Sequence, residues 1–233
     1  MKRIFNTVLL LSLLIFSTKT VQAQSETREV GPYEGVHIAG PYEVTLISGK
    51  EGSVTLFGEQ DDLENIEVYV KKGKLIIKKK NQSWFSDWSF KKISIRIPIE
   101  KISSVVLSGS GKIKSQKPIV ANRFKTVISG SGDIHLELEA TLVESTVTGS
   151  GDLSLKGQTE SAEFTLTGSG NIDARFLKAQ KGQAKITGSG DIEMHANETF
   201  NGSITGSGDL VCYGNPTQQI TKVTGSGDIT IRD

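Results

Sequence analysis

The chain has 233 residues, with 27 lysines and arginines against 26 acidic residues, for a formal net charge of +1. This balance excludes a broad positive field for binding nucleic acid or an anionic membrane. The chain has a single cysteine, Cys212, so it cannot form an internal disulfide.

Residues 1–23 have the organisation of a signal peptide. A basic pair precedes an apolar run from Val8 to Phe16, and small residues before Gln24 suit a cleavage site, so we expect the mature chain to begin at Gln24. The apolar run is too short to span a bilayer by itself. We therefore predict an exported protein, periplasmic or extracellular and associated with the cell envelope. The alternative is an uncleaved N-terminal anchor.

The segment 24–101 is predicted to be rich in β-strands, because short aliphatic and β-branched runs lie between Gly, Asp and Asn signals. These strands could be irregular opening coils of the fold that follows, or a small β-domain that covers its end. Lysines on both sides of Leu75-Ile76-Ile77 are typical of an edge strand. The predicted strands are 42–47, 53–57, 66–70, 74–78 and 92–97.

An aromatic loop interrupts this segment and contains both tryptophans of the chain. Trp84, Phe85, Trp88 and Phe90 fall within seven residues, separated by polar residues. Exposed aromatic side chains supply contact area for sugars and partner proteins. We predict that these four residues contact a ligand or partner; the alternative is that they cap the open end of the core.

Residues 102–233 repeat Gly-Ser-Gly followed by a polar residue and then Ile or Leu, at intervals of 18 to 21 residues. This period is typical of stacked-repeat proteins, in which each unit buries its apolar face against its neighbours. The seven copies begin at Gly109, Gly130, Gly149, Gly168, Gly188, Gly206 and Gly225.

Aliphatic residues recur at every second position around each triplet, which is the period of a half-buried strand. The glycines predict a corner where the backbone needs positive φ or lies against the identical corner of the next unit. Because whole units repeat in phase, we expect an all-β, parallel β-solenoid of about seven rungs rather than an antiparallel meander.

Two polar columns flank the corners. The residue after each triplet is Asp in five of seven copies, and this ladder could bind Ca²⁺ or accept hydrogen bonds from turn amides. One carboxylate per corner is an incomplete ligand set, so we predict no metal site. The Ser or Thr before each triplet could support the corner or present a hydroxyl face to glycan or ice.

The sequence predicts no catalytic residues and no cofactor. Cys212 falls on an inward column and is interpreted as a small core residue. The histidines His37, His135 and His195 lie far apart in sequence and indicate no shared site. Surface carboxylates are plentiful, but none is marked as half of a glycosidase pair.

The segment from Tyr33 to Gly40, the strand-rich region after it and the repeated Gly-Ser-Gly-Asp-Ile resemble the head GIN domain family, a group named for proposed autotransporter adhesins. The resemblance covers nearly the whole mature chain. It implies an all-β, helix-like solenoid exported from Gram-negative cells, and it supplies no catalytic residues.

Our leading hypothesis is a non-enzymatic, adhesin-like binding solenoid for a cell-surface or extracellular glycan or protein. It would have no nucleic-acid partner and no membrane span after signal cleavage, and it could form a homo-oligomer. The alternatives are a polysaccharide-processing enzyme on a β-helix and a structural envelope protein.

Overall fold

The computed structural model describes residues 24–80 and 92–233, and these form a parallel β-solenoid of about seven turns, as predicted. One short helix, α1 (Gln60–Glu64), accompanies the strands. The strands are β1 (Gln24–Glu29), β2 (Gly35–Ala39), β3 (Glu43–Ser48), β4 (Ser53–Gly58), β5 (Ile66–Lys71), β6 (Lys74–Lys79), β7 (Ser94–Ile99), β8 (Ser104–Gly109), β9 (Lys112–Ser115), β10 (Ile119–Gly130), β11 (Asp133–Gly149), β12 (Asp152–Gly168), β13 (Asn171–Gly188), β14 (Ile192–His195), β15 (Thr199–Gly206), β16 (Leu210–Tyr213), β17 (Gln218–Gly225) and β18 (Ile229–Arg232).

The repeats stack in parallel and in phase. Strand β12 pairs with β11 on one side and with β13 on the other, and Gly168 lies between Gly149 and Gly188 in the register. The aliphatic columns beside the corners point inward and are buried from one rung to the next. The exception is Val223, which is 42% exposed because β17 pairs only with β15 among the described strands.

The corner glycines are required by both conformation and space. The first glycine of each triplet has φ between +111° and +136°, where residues with a Cβ are strained. A Cβ on Gly168 would lie 2.3 Å from the carbonyl oxygen of Gly149, and one on Gly170 would lie 2.1 Å from that of Gly151. Each corner therefore rests directly on the backbone of the corner below.

The N-terminal strands extend the same stack. Strands β2 and β3 pair in parallel with β8 and β9 of the first Gly-Ser-Gly rung, and on their other side with β6 and β7. The later strands β6 and β7 thus lie outside the earlier β2 and β3. The expectation that 74–78 is an edge strand is wrong, because β6 lies between β2 and an antiparallel partner, β5.

Antiparallel strands cover this end of the solenoid. Strand β5 pairs with β6, β4 pairs with β7, and β1 pairs with β4. Leu63 of α1 is fully buried and belongs to the same continuous core as the solenoid interior. The segment 24–101 therefore contributes both opening coils and a cover for one end.

Candidate functional site

Departures from the 19-residue period place extra residues at the solenoid surface. The interval from Gly168 to Gly188 is 20 residues, and the interval from Gly109 to Gly130 is 21. The parallel pairing shows where the extra residues lie. In the first case it is within β13, and in the second it is between β9 and β10.

The extra residue of β13 forms a β-bulge. Ser154 pairs with Asp173 and Lys156 pairs with Phe176, so the single residue between Ser154 and Lys156 faces two residues of β13, Ala174 and Arg175. Two consecutive side chains, Arg175 and Phe176, then point outward between inward neighbours. The Phe176 ring is 65% exposed. Bulges commonly re-aim side chains at functional surfaces.

The bulge assembles charged groups from three rungs. Arg175 donates two hydrogen bonds to Asp173, with Nε 2.9 Å from Oδ1 and a terminal nitrogen 3.0 Å from Oδ2. Its Nε also lies 3.3 Å from Oε2 of Glu193, the residue paired with Asp173 on the next rung. The Tyr213 hydroxyl donates to the same Glu193 oxygen at 2.9 Å. We call Asp173, Arg175, Phe176, Glu193 and Tyr213 the bulge patch.

The electrostatics of the bulge patch favour binding over acid catalysis. Hydrogen bonds from the Arg175 guanidinium hold the pKa of Asp173 below its ordinary value, although partial burial opposes the shift. A general acid for glycoside hydrolysis needs a carboxyl whose pKa is raised. Arg175 also lies over the Phe176 ring, 5.7 Å from its centroid, which restrains both side chains.

The carboxylate column at the corners is tied to its own backbone. Oδ1 of Asp191 accepts the backbone N–H of Asp209 at 2.8 Å, and Oδ1 of Asp209 accepts that of Asp228 at 2.9 Å. At the start of the column, Lys112 pairs with Asp133 at 2.7 Å. Within 24–80 and 92–233, no group of three or more His, Cys, Asp or Glu residues has a geometry that could hold a metal ion.

The hydroxyl column faces outward. From Ser129 to Thr224 the residue before each triplet is exposed, as is the serine within each triplet. Ser108 is half-buried, and its Oγ lies 3.2 Å from Nε2 of His37. The column thus forms a polar strip along the corners.

The aromatic residues predicted to contact a ligand, Trp84, Phe85, Trp88 and Phe90, lie outside the described residues. The other candidates are spread through the fold. His37, His135 and His195 lie on β2, β11 and β14, no two of which pair with each other. Cys212 is fully buried, and burial raises the pKa of its thiol to about 11, which makes it a poor nucleophile.

Sequence reasoning missed the bulge patch. The available signal was the 20-residue interval, together with two polar-facing positions in succession, Arg175 and Phe176, where every other rung alternates.

Residues 32–216 match the family profile described as "Putative auto-transporter adhesin, head GIN domain". The chain belongs to the head GIN domain family. This confirms the resemblance drawn from the Gly-Ser-Gly repeats. A search of curated proteins finds no match.

Solved structures share the fold of this head GIN domain protein. An adhesin-named protein from Bacteroides fragilis is 22% identical, with a TM-score of 0.84 over 90% of this chain and 97% of the other. A protein from Parabacteroides distasonis, named for lipid binding, is 21% identical, with a TM-score of 0.73 over 91% and 97%. An adhesin-named protein from Parabacteroides merdae is 17% identical, with a TM-score of 0.71 over 91% and 97%.

The family and the adhesin-named neighbours support an adhesin-like role at the surface or outside the cytoplasm for this head GIN domain protein. They favour a non-enzymatic protein. In the described ranges the helix is five residues long, and no helix there has the length and apolar character to cross a membrane.

Proposed function

We propose that the protein is an exported, non-enzymatic binding module of the cell envelope that holds glycans at the bulge patch. The observation that carries this proposal is the Phe176 ring, 65% exposed on a bulge and flanked by a guanidinium and two carboxylates. We place the module in the periplasm or on the outer surface, where the predicted signal peptide would deliver it.

The bulge patch has the two elements that a sugar needs. The C–H face of a pyranose packs on an aromatic ring, and its hydroxyls exchange hydrogen bonds with charged side chains. Asp173, Arg175 and Glu193 are already held by one another, so little side-chain entropy is lost when a sugar binds.

A glycan-array screen of residues 24–233 tests the proposal. We expect binding that falls at least tenfold in Phe176→Ala, because the stacking platform is lost. Ile220→Ala is the matched control, since Ile220 is also an outward apolar side chain and is 68% exposed. Both variants should melt at the wild-type temperature.

Each other outcome of the screen has a stated meaning. Binding that is unchanged in Phe176→Ala, or absent altogether, contradicts the bulge-patch proposal. Turnover of a bound polysaccharide would favour the alternative of a β-helix enzyme, with Asp173 and Glu193 as the first carboxylates to mutate.

We further propose that the aromatic loop is a second contact surface. The double variant Trp84→Ala/Trp88→Ala should keep its fold while weakening attachment. Core tryptophans would instead destabilise the protein by roughly 3–5 kcal/mol each when truncated. A double variant that fails to fold would assign the loop to the core, and the bulge patch would then carry the binding alone.

A further inference from the structure

The 21-residue rung opens a groove on the side of the solenoid. Its two extra residues fall within 115–118, because Lys114 pairs with His135 while Ile119 pairs with Leu138. The lifted segment is anchored at its base, where Ser115 Oγ accepts the backbone N–H of Glu137 at 3.1 Å and Leu46 O accepts that of Gln116 at 3.0 Å. The space beside it has a volume of about 330 Å³.

The floor of this groove is apolar. Leu46 and Ile119 are buried members of the solenoid core, and Ile99 packs against that core. Val120 forms part of the wall and is 67% exposed. Small-molecule pockets have volumes of about 300–1,000 Å³ and are mostly apolar with a few polar groups, so the groove is large enough for one short chain.

The rim carries cations that have no partner in the described part of the chain. Lys50 and Lys117 both line the groove and are exposed, and neither forms an ion pair with another described residue. The neighbouring acid Glu51 is occupied, because its Oε1 accepts the backbone N–H groups of Glu100 and Lys101 at 2.5 and 2.7 Å. Glu100 is the one carboxylate among the lining residues.

We propose that this groove binds a single-chain anionic amphiphile, such as a free fatty acid. Its carboxylate would lie between Lys50 and Lys117, and its aliphatic chain would pack on Leu46, Ile99 and Val120. An aliphatic chain loses contact with water on this floor, and only a negative head group complements the two lysines. The groove and the bulge patch lie on different rungs, so the site is independent of the glycan proposal.

Calorimetric titration with decanoate, below its micelle-forming concentration, tests the site. We expect decanoate to bind, and decanol and decyltrimethylammonium to bind at least tenfold more weakly. Each further methylene that the floor covers should strengthen binding by up to about fourfold. Raising the salt concentration should weaken it.

Charge variants separate the groove from non-specific adsorption. Lys50→Gln/Lys117→Gln should weaken decanoate binding about tenfold, because each exposed ion pair contributes roughly two- to fivefold. Glu100→Gln should strengthen binding, since it removes the like charge. The control is Lys185→Gln, which removes an exposed lysine on β13 and should change nothing.

A shape variant tests the groove without relying on charge alone. Deleting Lys117 and Pro118 restores the 19-residue period, so the rung can stack as its neighbours do while the groove closes. We expect a folded protein that no longer binds decanoate.

Three results would overturn the proposal. They are decanol binding as tightly as decanoate, decanoate binding unchanged in the double lysine variant, and binding confined to vesicles that contain anionic phospholipid. The last result would assign the lysines to a membrane surface. Loss of glycan binding in Phe176→Ala would leave the decanoate result unaffected, which keeps the two sites distinguishable.

Discussion

At the corners, glycine satisfies two separate requirements, and the chain offers a pair of glycines that separates them. Gly168 has φ +123°, and a Cβ there would lie 2.3 Å from the backbone oxygen of Gly149. Gly52 has a similar φ of +136°, but a Cβ there would meet nothing within 4 Å. A comparison of the two alanine variants therefore isolates the stacking of rungs from backbone strain.

We expect Gly168→Ala to destabilise the protein by about 3 kcal/mol or more, since strain and overpacking add. Gly52→Ala should cost only the strain, about 1–2 kcal/mol. Melting temperatures measured by circular dichroism check the difference. Equal losses in the two variants would mean that corner stacking contributes little.

His195 makes stability depend on pH. It is 8% exposed, its Nδ1 has no hydrogen-bond partner among the described residues, and burial, with a smaller effect of Lys178, lowers its pKa below 6.5. The unfolded chain therefore binds a proton first as the pH falls. The stability contribution is complete above pH 6.5 and is lost as the pH decreases below it.

We expect the melting temperature to decrease between pH 7.5 and 5.5, and His195→Leu to reduce that decrease. His37, whose pKa burial also lowers, accounts for a remaining part. His135→Leu is the control because His135 is exposed. An unchanged pH slope in His195→Leu would assign the effect to other groups.

Among the elements, β13 shows how a repeat protein acquires a site. Its neighbours have 19-residue intervals, so one inserted residue can be absorbed only as a bulge if the inward columns are to stay in register. The insertion is Arg175, and the bulge patch is built around it.

Deleting Arg175 should therefore leave the fold intact, because Ala174 then faces Leu155 and Phe176 keeps its pairing with Lys156. We expect stability within about 1 kcal/mol of wild type, since only surface ion pairs are lost, and no glycan binding. Deleting Gln183, which lies in a regular part of β13, should unfold the protein by reversing the alternation that buries Ala184 and Ile186. Denaturant titrations of both deletions make the comparison, and a stable Gln183 deletion would contradict the register argument.

The corner carboxylates form the second element-scale feature. Since Asp191 and Asp209 accept backbone N–H groups of the next rung, their charges are already balanced by dipoles and by solvent. We expect a chelator such as EDTA to leave the melting temperature unchanged, measured with and without added Ca²⁺. A large decrease restored by Ca²⁺ would make the column from Asp133 to Asp228 a metal site.

For the whole molecule, the parts that sequence could predict are those that depend on neighbours only. The columns through Leu166 and Ile172 repeat in phase, and stacking in register follows from that alone. The position of β2 and β3 between β9 and β7 could not be predicted, because the chain leaves the stack after Ser48 and returns on its far side. The bulge and the groove were detectable as intervals of 20 and 21 residues, but the chemistry that they assemble needs the register of three rungs.

The stack should also show graded protection from hydrogen exchange. Each rung contacts only its neighbours, so local stability depends on whether both sides are covered. Strand β12 pairs with β11 and β13, whereas β17 pairs only with β15 and every residue of it is exposed. We expect backbone amides of β12 to exchange slowest and those of β17 fastest, measured by hydrogen–deuterium exchange mass spectrometry. Lys185→Gln on β13 should leave the gradient unchanged, while Gly168→Ala should speed exchange in β12 and β13 before it affects β6 and β7. Uniform protection from β12 to β17 would show that the solenoid opens only as a single cooperative unit, and the nearest-neighbour description of its stability would then be wrong.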